Sequence, residues 1–147
     1  MSKLILLIED NPSDEKLTLR AMGKSGVATD IEVVRDGAEA LDYLFRTGPH
    51  AQRESRTPDL ILLDLKLPRI DGLEVLRRLR SDQRTKLLPV VVLTASNEDQ
   101  DVTRCYTLGA NAYVRKPVDF NQFSEAARAL GVFWLVLNEA PPISRAH

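Results

Sequence analysis

Leu60-Ile61-Leu62-Leu63-Asp64 is the stretch on which the fold turns. Four apolar residues with no polar alternation are too few for a buried helix and suit a parallel strand covered on both faces. Two similar runs flank it: Leu4 to Ile8, ending in Glu9-Asp10, and Val90 to Leu93, ending in Thr94. Weaker candidates at Ile31 to Val34 and Ala112 to Val114 bring the strands to five. Helical patterns lie between and after them, at Pro12 to Lys24, Ala38 to Phe45, Leu73 to Leu79, Asp99 to Leu108 and about Asn121 to Leu137. Asp36-Gly37 and Asp71-Gly72 precede two of these, and Gly26 and Gly109 stand where helices end. The chain therefore reads as (βα)5, an α/β doubly wound parallel sheet whose ligands bind beyond the carboxyl ends of the strands.

The 147 residues predict one domain spanning 1–147, with a core from about 3 to 137, a tail at 138–147 and no output domain. With 44% hydrophobic and 28% charged residues, the composition is that of a folded globular chain. A net charge of −1 argues against nucleic-acid or membrane-surface binding, which needs excess positive charge. The basic run Arg77, Arg78, Arg80, Arg84 and Lys86 is interleaved with Glu74 and Asp82, as on a solvated helix face. One cysteine, Cys105, excludes an internal disulfide and fits a reducing compartment; two histidines, His50 and His147, are too few for a zinc site. Glu9 and Asp10 cut the first apolar run short of a signal peptide or membrane span, so a cytoplasmic location is expected. Arg46 to Pro58 reads as a polar loop.

The polar residues at the strand ends must meet in one crevice whatever their separation in sequence. They are Glu9 and Asp10 after the first strand, Asp64 after the third, Thr94 after the fourth, and Tyr113 to Lys116 through the fifth. Two carboxylates 4 Å apart repel by about 4 kcal/mol at an effective dielectric of 20, so the cluster calls for a cation or raised pKa values. Mg²⁺ is the natural occupant, a hard ion that joins one or two carboxylates to water and a phosphate oxygen. Asp64 can then serve as nucleophile for an aspartyl phosphate, with Lys116 and Thr94 stabilising the transferring group. Each residue alone has a plainer reading. Asp10 or Asn11 can cap the helix at Pro12, Asp64 can be a polar strand end, Thr94 an ordinary β-branched residue and Lys116 a snorkelling surface lysine. Their joint placement at one edge favours the site.

These segments resemble the receiver domain of two-component response regulators. The resemblance rests on Leu6 to Pro12, on Leu60 to Asp64 with Leu67-Pro68 and Asp71-Gly72, on Val92 to Ala95, and on Tyr113 to Pro117, in the family's order. It implies the flavodoxin-like fold with strand order 2-1-3-4-5. It further implies Glu9 and Asp10 as the acidic pair, Asp64 as phosphoacceptor, Thr94 and Tyr113 as the switch pair, and Lys116 as the site lysine. The Lys66 backbone carbonyl becomes a further Mg²⁺ ligand, Lys116-Pro117 the bond usually cis in receivers, and Lys66 and Ser96 the positions that tune the rate of dephosphorylation. A lysine at position 66 departs from the uncharged polar residue common there.

A narrower resemblance is to the small receivers that partner phytochrome-type histidine kinases. It is carried by Asp36-Gly37, the polar loop before Pro58, Lys116-Pro117-Val118-Asp119 and Phe133-Trp134-Leu135. It implies a stand-alone regulator in a two-component phosphorelay, a histidine kinase or bacteriophytochrome as partner, and a homodimer. Cys105, Tyr113, Phe133 and Trp134 are the candidate dimer face, although Phe123, Ala127, Leu130, Trp134 and Leu137 equally form a stripe that covers the sheet, and Cys105 can simply pack on its helix without chemistry. The expected role is a phosphoprotein that is not a turnover enzyme. The alternatives are a receiver-like adaptor that is never phosphorylated and a haloacid-dehalogenase-type phosphohydrolase. The second is disfavoured because Lys66 stands where that chemistry needs a second Asp. A flavodoxin-type flavin binder lacks its phosphate loop here.

Overall fold

The computed structural model describes residues 3–23, 29–54, 56–95 and 98–116, and beyond them residues 121, 125, 128 and 129. In chain order the elements are β1 (Lys3–Ile8), α1 (Pro12–Gly23), β2 (Thr29–Val34), α2 (Gly37–Phe45), a 3-10 turn (Gly48–His50), β3 (Leu60–Leu63), α3 (Gly72–Ser81), β4 (Val90–Thr94), α4 (Asp99–Thr107) and β5 (Ala112–Arg115). All strand pairs are parallel, in the order β2-β1-β3-β4-β5. This is a flavodoxin-like doubly wound sheet, in the strand order expected from the sequence.

The apolar runs form the three central strands because both of their faces are covered. Leu6, Ile8, Ile61, Leu63, Val90 and Val92 pack on one side with Val75, Leu76 and Leu79 of α3 and with residues of α2. Their alternates Ile5, Leu7, Leu60, Leu62, Val91 and Leu93 pack on the other side with Ala21 and Met22 of α1. That is the two-residue period of a strand read out as two cores. β2 begins at Thr29, earlier than the apolar stretch alone suggests, and its half-buried and exposed residues alternate as at a sheet edge until the buried Val34.

Local chemistry sets the helix starts. Asp36 and Asp71 accept hydrogen bonds from the Glu39 and Glu74 backbone N–H groups, capping α2 and α3. The glycines that follow admit the β3–α3 connection. A Cβ on Gly37 would stand 1.7 Å from the Ile70 carbonyl oxygen, and one on Gly72 would stand 2.3 Å from that of Asp64. Arg69 reinforces this packing with a 2.8 Å ion pair to Asp36.

The Arg46 to Pro58 connection is more ordered than a plain polar loop. It carries the 3-10 turn, and the Arg53 guanidinium lies 4.0 Å from the Tyr43 ring centroid while its Nε donates to the Tyr43 carbonyl oxygen at 2.7 Å. The basic run behaves as a solvated face, with Arg77 and Arg78 paired to Glu74 and Arg84 to Asp82.

Cys105 corrects one expectation. It is wholly buried in the core cluster against α3 and the sheet, because α4 turns it inward, so it offers nothing to an outer dimer face. Phe133 and Trp134 lie outside the described residues, as do Ser96, Pro117 and Gly26. In the expected last helix the described positions Asn121, Glu125, Arg128 and Ala129 are helical and exposed. Among the described residues no helix is long and apolar enough to cross a membrane.

Candidate functional site

Parallel register brings the ends of β1, β3, β4 and β5 to one edge of the sheet, and with them most of the residues singled out above. The Asp64 N–H donates to the Ile8 carbonyl oxygen at 3.1 Å, fixing the end of β3 beside Glu9. The Lys116 N–H donates to the Thr94 carbonyl oxygen at 2.8 Å, fixing the end of β5 beside β4. Carboxylate oxygens of Glu9, Asp10 and Asp64 then lie within 4.8 Å of one another. Glu9 and Asp64 are buried and Asp10 is exposed, so the cluster opens to solvent on one side.

Lys116 ends among these acids, with only 6% of its side chain exposed. Its Nζ donates to Glu9 Oε1, to Asp64 Oδ2 at 2.9 Å and to Asp14 Oδ2 at 2.9 Å. The other Asp64 oxygen, Oδ1, accepts from the Thr94 hydroxyl at 2.8 Å and from the Lys66 N–H at 3.3 Å. The plainer readings of Lys116 and Thr94 therefore give way to contacts with the candidate phosphoacceptor. The helix cap at Pro12 falls to Asn11, whose Oδ1 accepts from the Ser13 and Asp14 N–H groups, which leaves Asp10 for the cluster.

Asp14 is the site residue that the strand-end reading misses. It stands in the first turn of α1, where an acidic side chain is ordinary. No helical spacing marks it, because Asp10 precedes the Asn11 cap and lies outside α1.

Electrostatics divide the cluster. Burial raises the Glu9 carboxyl to about 7; Lys116 opposes this and the neighbouring Asp64 adds to it. Burial acts on Asp64 in the same sense but is outweighed by hydrogen bonding from Glu9, by the Lys116 charge and by Thr94, leaving Asp64 below the ordinary carboxylate value. Burial alone would lower Lys116, yet its bonds to Glu9, Asp14 and Asp64 hold it above the usual lysine value. One ammonium does not neutralise this many carboxyls, so Glu9 keeps a proton toward neutrality. A divalent cation could take that proton's place, and the all-oxygen, partly open donor set suits a hard ion. The Lys66 carbonyl accepts no hydrogen bond from a described residue. Tyr113 lies on β5 opposite Val92, half-buried against the α3-side core.

Comparison with known proteins agrees with this geometry. The family model for the response regulator receiver domain matches residues 5–128. The probable methanogenesis regulatory protein FilR2 of Methanothrix harundinacea is 39% identical over 138 residues, 94% of this chain and 87% of its own length. The crystal structure of the phosphorylated cyanobacterial phytochrome response regulator RcpA has a TM-score of 0.90 at 40% identity, covering 96% of this chain and 99% of that one. The bacteriophytochrome response regulator RtBRR has a TM-score of 0.77 at 53% identity, covering 99% of this chain and 88% of that one. The chain belongs to the response regulator receiver domain family. Its structural neighbours include phytochrome response regulators, and receivers of this kind are signalling proteins that pair with histidine kinases.

Proposed function

We propose that the protein accepts a phosphoryl group on Asp64 from a phytochrome-type histidine kinase and signals through altered protein docking or self-association. The observation that carries this reading is the position of Asp64, between Lys116 on one carboxylate oxygen and Thr94 on the other. In the transfer an Asp64 oxygen attacks phosphorus, the phosphorus–nitrogen bond of phosphohistidine breaks, and the imidazole leaves with the electron pair and takes up a proton. Lys116 and Thr94 meet the charge on the phosphoryl oxygens. Glu9, Asp10, Asp64 and the Lys66 carbonyl would hold Mg²⁺, which when bound neutralises that charge further.

The product adds about −1.5 to −2 charges at the crevice. The Thr94 hydroxyl, already directed at Asp64, passes its hydrogen bond to a phosphoryl oxygen. β4 and β5 pair through Thr94 with Arg115 and through Val92 with Tyr113, so movement of Thr94 reaches the half-buried Tyr113 and shifts the population between two surfaces. The exposed Lys66 ammonium tunes access of the hydrolytic water. Lys66→Asn should alter the dephosphorylation rate, and an unchanged rate would remove Lys66 from this role.

The test is phosphotransfer from an autophosphorylated, radiolabelled phytochrome-type kinase in Mg²⁺. Label should move to the wild type and not to Asp64→Asn, and chelation should abolish the transfer. Label appearing on Asp64→Asn, or staying on the kinase with the wild type, would contradict the reading.

A further inference from the structure

At the edge of the sheet opposite Asp64, the α2–β3 and α3–β4 connections border a half-open cavity of about 360 Å³. Arg46, Arg53, Arg56 and Arg84 are among the residues that line it. Two of these charges are matched, Arg56 by Asp30 at 2.8 Å and Arg84 by Asp82 at 2.9 Å. The other two form no ion pair with a described residue. Arg53 spends its donors on carbonyl oxygens, Nε on Tyr43 and Nη1 on Glu54, both at 2.7 Å, and Nη1 again on Arg56 at 3.2 Å. Those bonds fix the group in place and leave its charge unneutralised. Arg46 ends α2 in a left-handed conformation, φ 57°, with its N–H tied back to the helix and its side chain exposed.

Between these cations the wall includes the buried Leu44 and Leu88, and Phe45 lies beneath Arg84, whose guanidinium is 4.8 Å from the ring centroid. A concave site with two unmatched positive charges attracts an anion. The whole guanidinium fork of Arg46 can match phosphate oxygens bidentately, and Arg53 adds its remaining Nη2 donors. The half-buried Thr57 adds a hydroxyl donor. The volume is within the small-molecule range of roughly 300–1,000 Å³ and exceeds what one inorganic phosphate needs.

We infer that this cavity is a binding site for a small molecule carrying adjacent phosphates, of nucleotide size, held by Arg46 and Arg53. It shares no residue with the acidic crevice, so its occupancy can be read separately from phosphorylation of Asp64.

The test is titration calorimetry and amide NMR with ADP and, separately, with inorganic pyrophosphate, both in EDTA so that metal at the acidic crevice plays no part. Saturable binding of either, with shifts centred on residues 44–58 and 84–88, is expected. ADP binding tighter than pyrophosphate identifies a nucleotide, and equal binding identifies the diphosphate alone as the recognised group. Arg46→Asn keeps a residue that tolerates the left-handed cap and should weaken binding about tenfold or more, the worth of one charge-assisted hydrogen bond. Asp64→Asn and the exposed Arg77→Gln on α3 should leave it unchanged. Absence of saturable binding, equal weakening by Arg77→Gln, or tighter binding of a poly-glutamate peptide than of pyrophosphate would overturn the inference.

Discussion

The Lys116 ammonium lies 2.9 Å from Asp14 Oδ2, the same distance that separates it from Asp64 Oδ2. One cation is thereby shared between the candidate phosphoacceptor and a carboxylate on α1 that takes no part in acceptance. Asp14 is about one-third exposed, so its bond to Lys116 is of the order of 1 kcal/mol. Asp14→Asn should release that share of the ammonium to the incoming phosphoryl group and raise the phosphorylation rate by about two- to fivefold, the equivalent of that energy. Stopped-flow phosphorylation with a small phosphodonor reads this directly; a slower variant would mean that Asp14 positions Lys116.

Glu9 gives the metal-free protein a pH signature. Its carboxyl stands at about 7 when folded and near 4.5 when unfolded. Between those values the folded state holds a proton that the unfolded state has released, so stability falls as pH rises through the window, at up to about 1.4 kcal/mol per unit. Asp64 acts oppositely and lower: its depressed folded value adds stability above the ordinary 3.8, and this is lost as pH falls through the folded value. Urea titrations in EDTA should show the decline between about 4.5 and 7 for the wild type and its loss in Glu9→Gln. A wild-type stability that rises over that range would contradict the assignment.

Gly72 ties helix packing to the acceptor. A Cβ there would meet the Asp64 carbonyl oxygen at 2.3 Å and the Leu65 Cα at 2.7 Å, both backbone atoms that cannot rotate aside. Gly72→Ala should cost about 1–3 kcal/mol and slow phosphorylation by displacing Asp64. Gly23→Ala is the control, since nothing lies within 4 Å of the added carbon. Chemical denaturation and phosphorylation rates on both variants check this, and equal effects would show that the close approach is unimportant.

Cys105 should behave as a core residue. Burial, with Asp101 nearby, pushes its thiol up to about 11, and no part of its surface is exposed. A disulfide reagent at mild pH should label it only through opening of the fold, at a rate that tracks stability. Rapid labelling of the native protein would place it at the surface.

The fold was legible because a strand buried on both faces must be an unbroken apolar run, and Leu4 to Ile8, Leu60 to Leu63 and Val90 to Leu93 are such runs. The same logic located most of the crevice: where Ile8, Leu63 and Leu93 give way to Glu9, Asp64 and Thr94, the chain reaches one edge of the sheet. Asp14 escaped because its contact with Lys116 joins residues 102 positions apart through the approach of α1 to the end of β5. The mooring of the Arg46 to Pro58 connection escaped for a similar reason, since nothing in its composition shows Arg53 turning back onto Tyr43. The facing of Cys105 stayed open because α4 is short and mostly polar, which leaves the inward stripe weakly marked.

The central claim, that Asp64 is a metal-dependent phosphoacceptor, is tested most directly by intact mass after incubation with acetyl phosphate and Mg²⁺. The account predicts the gain of one acid-labile phosphoryl group by the wild type, and none by Asp64→Asn or in the presence of chelator. A mass gain that survives Asp64→Asn, or a wild type that neither gains phosphate nor forms a beryllofluoride complex, would contradict it and leave a receiver-like adaptor that binds its partners without phosphorylation.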